Sequence, residues 1–390
     1  MDDIEKAFKW ISGLRKNYSA NSDIWRLRHD WNRIKDKLLT QLNDGSYAFD
    51  LLDRFEFDDA TISLWSSKDM IALKLISQAL GTQMSDHIPM PCYHIKDRGG
   101  LKRAVNHTYA GVSEHRYVMR SDIKSYYASI RFDTLLEIVE TYIQHPVLLT
   151  LLRKALHRTE TRGGNFYDYD EKGIPKGSPL SPLLGAIALI PLDKAMGQIK
   201  NTFYVRIMDD WVVLTKTKTA LRKVIKKIHE VVNNLHLQLH PLKTYIGKIS
   251  NGFNFLGYYM DDQKILPSKE TIRRFQERGS VLYEQSLHNR KVSNHYRRNS
   301  HGRDISEYQV NEAAPTEEDV RNIFKQLLAL ARNRSDILAT LWNYVRKWTA
   351  WTKSGLSKTK EFEESVQTFL PSLFSCWRPD DEGFTSGYCQ

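Results

Sequence analysis

The segment Phe203-Tyr-Val-Arg-Ile-Met-Asp-Asp-Trp-Val-Val-Leu214 consists of two β-rich runs separated by two acidic residues. Aromatic and β-branched residues favour strands, and a short polar connection between two such runs is typical of a β-hairpin. We therefore predict a hairpin whose turn holds Asp209 and Asp210. Two carboxylates fixed in one turn cannot move their charges apart, so binding a divalent cation is a natural way to neutralise them. A solvated turn that binds nothing is the alternative.

Strands and helices alternate around this hairpin. Residues 117–130 predict a strand that ends at Asp122, and a polar, glycine-bearing stretch at residues 163–173 predicts a second hairpin. Apolar residues at helical spacing predict helices over residues 135–156, 183–196 and 221–235. Helical spacing also extends from residue 4 to about residue 80 and resumes after Pro267. The middle of the chain is therefore α/β or α+β, with helical segments on both sides.

The composition indicates a protein of two to three domains with an anionic partner. The chain has 390 residues, and its 57 Lys and Arg against 46 Asp and Glu leave a formal charge of +11. Such an excess favours binding to a polyanion without identifying it. The three cysteines, Cys92, Cys376 and Cys389, are too scattered for a disulfide framework or a zinc finger, so we expect a reducing compartment.

Membrane insertion and secretion are not expected from this sequence. The first residues, Met-Asp-Asp-Ile-Glu, are acidic where a secretory signal would be basic. No apolar run approaches the ~18 residues that a membrane span requires. We therefore predict a cytoplasmic protein without a membrane partner.

Five segments that bear potential chemistry follow one another along the chain. They are Asp122-Ile-Lys-Ser-Tyr-Tyr127, Gly173-Ile-Pro-Lys-Gly-Ser-Pro-Leu-Ser-Pro-Leu-Leu184, Met208-Asp-Asp210, Leu239-His-Pro-Leu-Lys243 and Phe255-Leu-Gly-Tyr258. In content and order these five segments resemble the motifs of the reverse transcriptase family. The resemblance implies an RNA-directed DNA polymerase, a nucleotidyltransferase that adds dNTPs to a 3′-hydroxyl.

The resemblance also implies which residues hold metal ions. Asp122 and Asp209 would be the principal ligands of two Mg²⁺ ions, with Mn²⁺ as a substitute, while Asp210 assists and the carbonyl of Ile123 contributes to one ion. Two such ions activate the 3′-hydroxyl and stabilise the leaving pyrophosphate. Lys243 would protonate that pyrophosphate. A lysine that is merely exposed at a strand end is the alternative for Lys243.

The residues implied in nucleotide and primer binding come from three of these five segments and from a basic stretch that precedes them. Tyr127 would lie beneath the sugar of the incoming nucleotide and leave no room for a 2′-hydroxyl, unless it is simply a core aromatic residue. Lys102 and Arg103 would neutralise the triphosphate, unless they belong to a solvated basic loop. The second segment contributes Lys176, Gly177 and Ser181 to the nucleotide site. The primer grip would consist of Phe255, Leu256, Gly257 and Tyr258.

Two positions depart from the usual pattern of the family. Lys176 stands where many members have glutamine, which suggests a phosphate or template contact in place of an amide. Ile207 stands where most members have tyrosine, two residues before the aspartate pair. Since that tyrosine touches primer or template and not metal, this departure bears on nucleotide preference and fidelity.

A second aspartate pair matches the literal spelling of the family motif better than the first pair does. It lies in Tyr259-Met-Asp-Asp262, but polar residues follow it, and it comes after the motif that carries Lys243. No apolar strand such as residues 211–214 follows it either. We therefore predict that Asp261 and Asp262 form a turn of the primer-grip hairpin.

Two features towards the end of the chain have simpler interpretations. Residues 285–303 carry five Lys and Arg side chains and no acid, which predicts a mobile basic loop that contacts nucleic-acid phosphates. Its histidines lack the companions that a zinc site needs. The stripe of Tyr344, Trp348 and Trp351 predicts the core of a helical domain, with a base-stacking platform as the alternative.

The resemblance implies an α+β right-hand polymerase with an antiparallel palm sheet. We expect a helical N-terminal extension at residues 1–60 and a helical thumb at residues 265–390 with the basic loop 285–303. The fingers would comprise residues 61–115 and 136–174, and the palm residues 116–135 and 175–264.

The motifs are most similar to those of bacterial stand-alone reverse transcriptases, a group that resembles retron, group II intron and phage-defence enzymes. A lone polymerase without cleavage modules is poorly equipped for independent mobility. We therefore expect an antiviral defence or retron-like role, with a cognate noncoding RNA as template and a DNA product or primer. Untemplated or protein-primed DNA synthesis and an RNA-binding scaffold with a vestigial site remain alternatives. The sequence leaves the oligomeric state open.

Overall fold

The computed structural model describes residues 3–57, 60–167, 171–287, 341, 343–348 and 350–352. These residues fall into two compact units. The first contains Met119–Thr244 and the described residues before Leu101, and the second contains Leu101–Val118 and the described residues from Tyr245 onwards. None of the helices in the described part of the chain has the length and apolar composition needed to cross a bilayer.

The first unit begins with four helices. They are α1 (Asp3–Leu14), α2 (Asp23–His29), α3 (Trp31–Asn43) and α4 (Ser67–Met84). Phe8 of α1 stacks on Trp31 of α3 at 4.1 Å between ring centroids. The side chain of Ser66 caps α4 by accepting a hydrogen bond from the backbone N–H of Asp69.

A four-stranded sheet interrupts this helical region. Its strands are β1 (Leu52–Phe57), β2 (Ala60–Leu64), β4 (Glu160–Arg162) and β5 (Asn165–Tyr167), in the order β2-β1-β4-β5. The prediction of helix from residue 4 to about residue 80 is therefore wrong over β1 and β2. Strand β1 pairs in parallel with β4, about 100 residues further along the chain, and local spacing cannot reveal such a pairing. The predicted glycine hairpin is present, with Gly163 and Gly164 at positive φ between β4 and β5.

Two of the three helices predicted as single segments are divided by a proline. Residues 135–156 cover most of α7 (Phe132–Tyr142) and all of α8 (Pro146–Leu156), and residues 183–196 are divided between α9 (Ser181–Ala188) and α10 (Ile190–Gly197). Pro146 and Pro191 occupy the first turns of α8 and α10, where the missing N–H of proline costs no hydrogen bond. The short helix α6 (Tyr126–Ser129) precedes α7.

The hairpin that was predicted from the opening segment is confirmed. Strands β6 (Thr202–Ile207) and β7 (Asp210–Thr215) are antiparallel, and the register pairs Ile207 with Asp210. Strand β3 (Tyr117–Ser121) lies on the other side of β7. Helix α11 (Lys218–Asn234) buries its apolar side, including Val224 and Ile228, and packs on α10 and β7.

The second unit combines short strands with helices. Apart from Gly100, α5 (Gly100–Val112) belongs to it, as do β8 (Tyr245–Lys248), β9 (Phe253–Phe255), β10 (Tyr258–Met260), β11 (Ile265–Pro267) and α12 (Lys269–Leu287). Phe275 of α12 contacts the half-buried Tyr344 and Trp348, with ring centroids 5.0 and 4.3 Å apart, whereas Trp351, the third residue of the predicted core stripe, is 37% exposed. The predicted basic loop 285–303 is helical at residues 285–287, the end of α12, and from residue 288 it lies outside the described residues. The fingers, palm and thumb boundaries remain a prediction.

Candidate active site

The three predicted carboxylates lie in the first unit, on neighbouring strands of one sheet. Asp122 follows the last residue of β3, Asp209 lies in the connection between β6 and β7, and Asp210 opens β7. Because β7 is next to β3 in the sheet, these positions meet at one edge. The structure therefore brings together the aspartates that the sequence singled out.

The electrostatic surroundings make the carboxyl groups of Asp209 and Asp210 hard to ionise. Burial and then the neighbouring Asp122 carboxyl raise the pKa of Asp209 to about 8. Burial also raises the pKa of Asp210 to about 6, against the opposing effect of the Arg120 guanidinium. Additional positive charge at this edge would stabilise the ionised forms.

Two basic side chains already contribute such charge. The Nζ of Lys243 lies 2.5 Å from Oδ2 of Asp122, and the Nε of Arg120 lies 3.8 Å from Oδ1 of Asp210. Arg120 was not among the site residues predicted from the sequence. It stands two residues before Asp122 in a strand, where side chains two apart share a face, and that spacing was the available signal.

Backbone hydrogen bonds place Lys243 beside Asp122. The N–H of Lys124 donates to the carbonyl of Gln238, and the N–H of His240 donates to the carbonyl of Asp122, both at 2.8 Å. Neither bond uses the carbonyl of Ile123, the group predicted to contribute to a metal site. The first and fourth motifs therefore form one local structure around these groups.

The donor set fits divalent cations. The Oδ1 atoms of Asp122 and Asp210 are buried and accept no hydrogen bond, and such oxygens are costly unless a cation or water satisfies them. Within the described residues, no three His, Cys, Asp or Glu side chains form a ready-made metal cage. This pattern suits Mg²⁺, which binds through one or two carboxylates and takes its other ligands from water and substrate phosphates.

Tyr127 is half-buried beside the turn formed by Met208 and Asp209. Its hydroxyl lies 3.6 Å from the Sδ of Met208, and burial raises the pKa of Tyr127 to about 12. A Cβ added at Gly185 of α9 would lie 3.2 Å from the Tyr127 ring. The absence of a side chain at Gly185 therefore makes room for this ring.

The second motif forms a tight loop before α9. Gly173 and Gly177 have φ of 102° and 94°, values that favour glycine. Lys176 and Gly177 are exposed, whereas Ser181 is buried and its hydroxyl donates to the carbonyl of Pro175 at 2.7 Å. Ser181 therefore stabilises the loop from inside, while Lys176 and Gly177 are open to a ligand.

The predicted primer grip and finger cations lie in the second unit. Leu256 and Gly257 have positive φ and connect β9 to β10 in a tight hairpin. The ammonium of Lys102 lies 2.5 Å from the hydroxyl of Tyr258 and 3.6 Å from the ring centroid of Trp351. Burial lowers the pKa of Lys102 to about 8. Arg103 is exposed, and the triphosphate roles of both cations remain predictions.

The second aspartate pair lies in the turn between β10 and β11. Oδ1 of Asp261 accepts hydrogen bonds from the backbone N–H groups of Gln263 and Lys264, at 2.9 and 2.8 Å. A Cβ at Gly252 would lie 2.0 Å from the hydroxyl of Tyr259, so this tyrosine packs over a glycine. Tyr259 and Asp261 of the look-alike motif therefore have structural roles.

A sequence model of the family described as "Reverse transcriptase (RNA-dependent DNA polymerase)" matches residues 61–260, just over half of the chain. The chain belongs to the reverse transcriptase family. The family predicted from the five motifs is thus confirmed, and the match spans Asp122, Asp209 and Asp210.

Two curated relatives are similar to the chain over part of their length. The "Uncharacterized 91 kDa protein in cob intron" of Schizosaccharomyces pombe is 22% identical over 231 residues, which are 54% of this chain and 28% of the relative. "Protein YkfC" of Escherichia coli is 25% identical over 185 residues, 39% of this chain and 48% of the relative. The chain thus spans less than half of either relative.

The fold is similar to that of a telomerase from Candida albicans, solved in complex with a TWJ fragment of telomeric RNA. The TM-score is 0.54 at 10% identity, and the match covers 89% of this chain and 67% of that one. At this identity the likeness concerns the fold alone. It confirms the predicted class, an α+β right-hand polymerase.

Sequence reasoning missed the residues that hold the turn formed by Met208 and Asp209. Arg206 is fully buried in β6, and its guanidinium binds the Asp193 carboxylate at 2.7 and 2.5 Å. Another of its nitrogens donates to the carbonyl of Met208 at 2.8 Å. His94 accepts a hydrogen bond from the N–H of Met208. A charged residue within the apolar run of β6 was the available signal, since buried charges need partners.

Proposed function

We propose that the chain is an RNA-directed DNA polymerase that adds dNTPs to a primer 3′-hydroxyl. The observation that carries this proposal is the meeting of Asp122, Asp209 and Asp210 at one sheet edge, with two buried carboxylate oxygens that accept no hydrogen bond. A member of the reverse transcriptase family that had lost its chemistry would have little reason to keep this costly arrangement.

The residues of the candidate site would have different roles in nucleotidyl transfer. Asp122 and Asp209, with help from Asp210, would hold two Mg²⁺ ions, which would activate the 3′-hydroxyl and stabilise the charge on the pyrophosphate. Lys243 lies beside Asp122 and would donate its proton to the pyrophosphate once a nucleotide phosphate offers it another partner. Tyr127 would exclude a 2′-hydroxyl from the sugar position.

We further propose that the template is a cognate noncoding RNA, copied in a retron-like or antiviral defence system in the cytoplasm. The likeness of the motifs to those of stand-alone bacterial reverse transcriptases supports the biological role. The formal charge of +11 supports an RNA and DNA partner. The scattered cysteines support a reducing compartment.

Incubating the protein with Mg²⁺, labelled dNTPs and its copurifying nucleic acid tests the activity. We expect a labelled product that DNase removes and that depends on intact RNA. A product whose mobility changes with protease would instead indicate a protein primer, and a product that survives prior RNase treatment would indicate untemplated synthesis. No labelled product at all would favour an RNA-binding scaffold.

Replacing Lys243 with glutamine is expected to slow single-turnover incorporation by about 10²-fold, the lower end for a lost general acid. Lys243→Arg serves as the matched variant, because arginine keeps the ion pair with Asp122 but does not release its proton. Both variants should be slow. If arginine restored the full rate, the role of Lys243 would be to pair with Asp122 and not to donate a proton.

Replacing Tyr127 with alanine is expected to reduce the preference for dNTP over NTP by about 10- to 100-fold, because a steric contact contributes ~1–3 kcal/mol to discrimination. Tyr127→Phe keeps the ring and should keep the preference. The ratio of incorporation efficiencies for dCTP and CTP measures both variants. Unchanged selectivity in the alanine variant would show that Tyr127 is only a core aromatic residue.

A further inference from the structure

The residue before Asp209 has an unfavourable backbone conformation. Because the register pairs Ile207 with Asp210, Met208 and Asp209 alone connect β6 to β7. Met208 has φ of 56°, in the left-handed region that costs a non-glycine residue ~1–2 kcal/mol. Such a conformation persists only where the surrounding structure holds it in place. The direction in which Asp209 leaves this turn depends on that support.

Side chains contact each of the three polar groups of Met208. Its N–H donates to Nδ1 of His94 at 2.9 Å, and its carbonyl accepts from Nη1 of Arg206 at 2.8 Å. Its Sδ lies 3.6 Å from the hydroxyl of Tyr127. Met208 and Asp209, the catalytic turn, are thus held by side chains from outside the hairpin as well as by the pairing of β6 with β7.

His94 contacts a second functional segment with its other ring nitrogen. Nε2 lies 3.3 Å from the carbonyl oxygen of Pro182, in the first turn of α9. Because Nδ1 accepts the hydrogen bond from Met208, the ring proton is on Nε2, which therefore donates to Pro182. The Sγ of Cys92 lies 3.4 Å from Nδ1. One imidazole thus joins the catalytic turn to the Ser-Pro step of the second motif.

The segment that carries His94 is held independently of the imidazole. The N–H of Tyr93 donates to the carbonyl of Arg206 at 2.9 Å, and the N–H of Arg206 donates to the carbonyl of Pro91 at 2.8 Å. The guanidinium of Arg98 donates to the carbonyl of Ile88 at 2.7 Å. Removing the imidazole therefore leaves the backbone of this segment anchored.

We propose that His94 is a positioning residue for nucleotidyl transfer. Its Nδ1 fixes the Met208 peptide so that Asp209 faces Asp122, and its Nε2 joins this turn to the first turn of α9, which follows the loop that carries Lys176 and Gly177. The inference rests on the proposed function, since it assigns a role within the same site.

Three substitutions test the two hydrogen bonds of the imidazole. His94→Ala removes both bonds. His94→Asn places an amide oxygen where Nδ1 lies and keeps the bond to Met208, whereas His94→Gln reaches the position of Nε2 and keeps only the contact with Pro182. His29→Ala is the matched control, because the side chain of His29 is 87% exposed on α2.

Each protein is assayed for single-turnover rate, apparent dNTP dissociation constant and Mn²⁺ affinity by electron paramagnetic resonance. The alanine and glutamine variants should be slower by about 10- to 100-fold and should bind Mn²⁺ more weakly, with the dNTP dissociation constant within about threefold of wild type. The asparagine variant should recover most of the rate and of the Mn²⁺ affinity. The control should match wild type in all three measurements.

Equal rates and Mn²⁺ affinities in wild type and the alanine variant would overturn the inference. An asparagine variant as impaired as alanine would overturn it as well, since packing of the ring would then be what matters. A wild-type protein that incorporates no nucleotide would contradict the proposed function alone. The Mn²⁺ affinities of the variants would then still decide whether His94 positions the turn.

Discussion

Replacing Asp209 with asparagine is expected to slow nucleotide incorporation by about 10³-fold or more, equivalent to at least ~4 kcal/mol of transition-state stabilisation. Asparagine keeps the shape of the side chain but lacks the second anionic oxygen that a Mg²⁺ ion would bind. The partly buried edge next to Asp122 and Asp210 offers no other carboxylate in its place among the described residues. Single-turnover incorporation of a labelled dNTP on a primed template measures the effect.

Asp261→Asn in the look-alike motif is the matched control and should leave the rate within about twofold of wild type, since surface substitutions of this kind have small effects. An asparagine oxygen can still accept the hydrogen bonds from Gln263 and Lys264 that close the turn between β10 and β11. Loss of activity in the Asp261 variant, with activity retained in the Asp209 variant, would overturn the assignment of the catalytic pair.

The stability of the Asp209 variant separates chemistry from folding. Burial and the Asp122 carboxyl already disfavour the ionised form of Asp209, and the substitution replaces this carboxyl with a neutral amide of the same shape. Its thermal midpoint should therefore equal or exceed that of wild type. A large drop in the midpoint would mean that the loss of rate came from unfolding.

Local patterns predicted the part of the fold that depends on local pairing. The β6–β7 hairpin was predictable because strand propensity and the acidic turn occur within one short segment, and its observed register places Ile207 opposite Asp210. The β1–β2 hairpin was missed because its strands are short and β1 is completed by the distant β4. The apolar helical periodicity also continues past Pro146 and Pro191, so it did not show that a new helix begins at each of them. The helical segments were otherwise correctly predicted.

The candidate site likewise contains some residues that local sequence patterns predicted and others that they did not. Asp122, Asp209, Asp210 and Lys243 come from motifs whose spacing is visible in the sequence, and the structure brings them together. His94, Arg206 and Asp193 act through contacts that join separate segments, and no local pattern reports such contacts. Of these three residues, only Arg206 could be recognised from the sequence. A guanidinium between Val205 and Ile207 in an apolar strand needs a buried partner.

The buried pair of Arg206 and Asp193 links the stability of the first unit to the geometry of the catalytic turn. Neither side chain is exposed, and Asp193 also accepts a hydrogen bond from the hydroxyl of Tyr204 at 2.9 Å. An apolar pair would fill this space without the cost of desolvating two charges. An apolar residue cannot donate the hydrogen bond that Arg206 makes to the carbonyl of Met208. The charge pair therefore stabilises the conformation of the turn.

Replacing Arg206 with methionine is expected to lower the free energy of unfolding by ~3–5 kcal/mol, because the Asp193 carboxylate would remain buried without its cation. Arg153→Met is the matched control. Arg153 and Glu140 form an ion pair whose side chains are 48% and 39% exposed, and such a pair contributes less than ~1 kcal/mol. Denaturant-induced unfolding measures both variants. A loss at Arg206 as small as the loss at Arg153 would contradict the role of the buried pair.

The double variant Arg206→Met with Asp193→Leu separates stability from positioning. Removing both charges leaves no unpaired carboxylate, so much of the lost stability should return. The Met208 carbonyl would still lack its donor, and nucleotide incorporation should therefore remain about 10-fold or more below wild type, as when a supporting hydrogen bond of a metal site is removed. Recovery of the full rate together with the stability would show that Arg206 supports the fold alone and that the left-handed turn at Met208 persists without it.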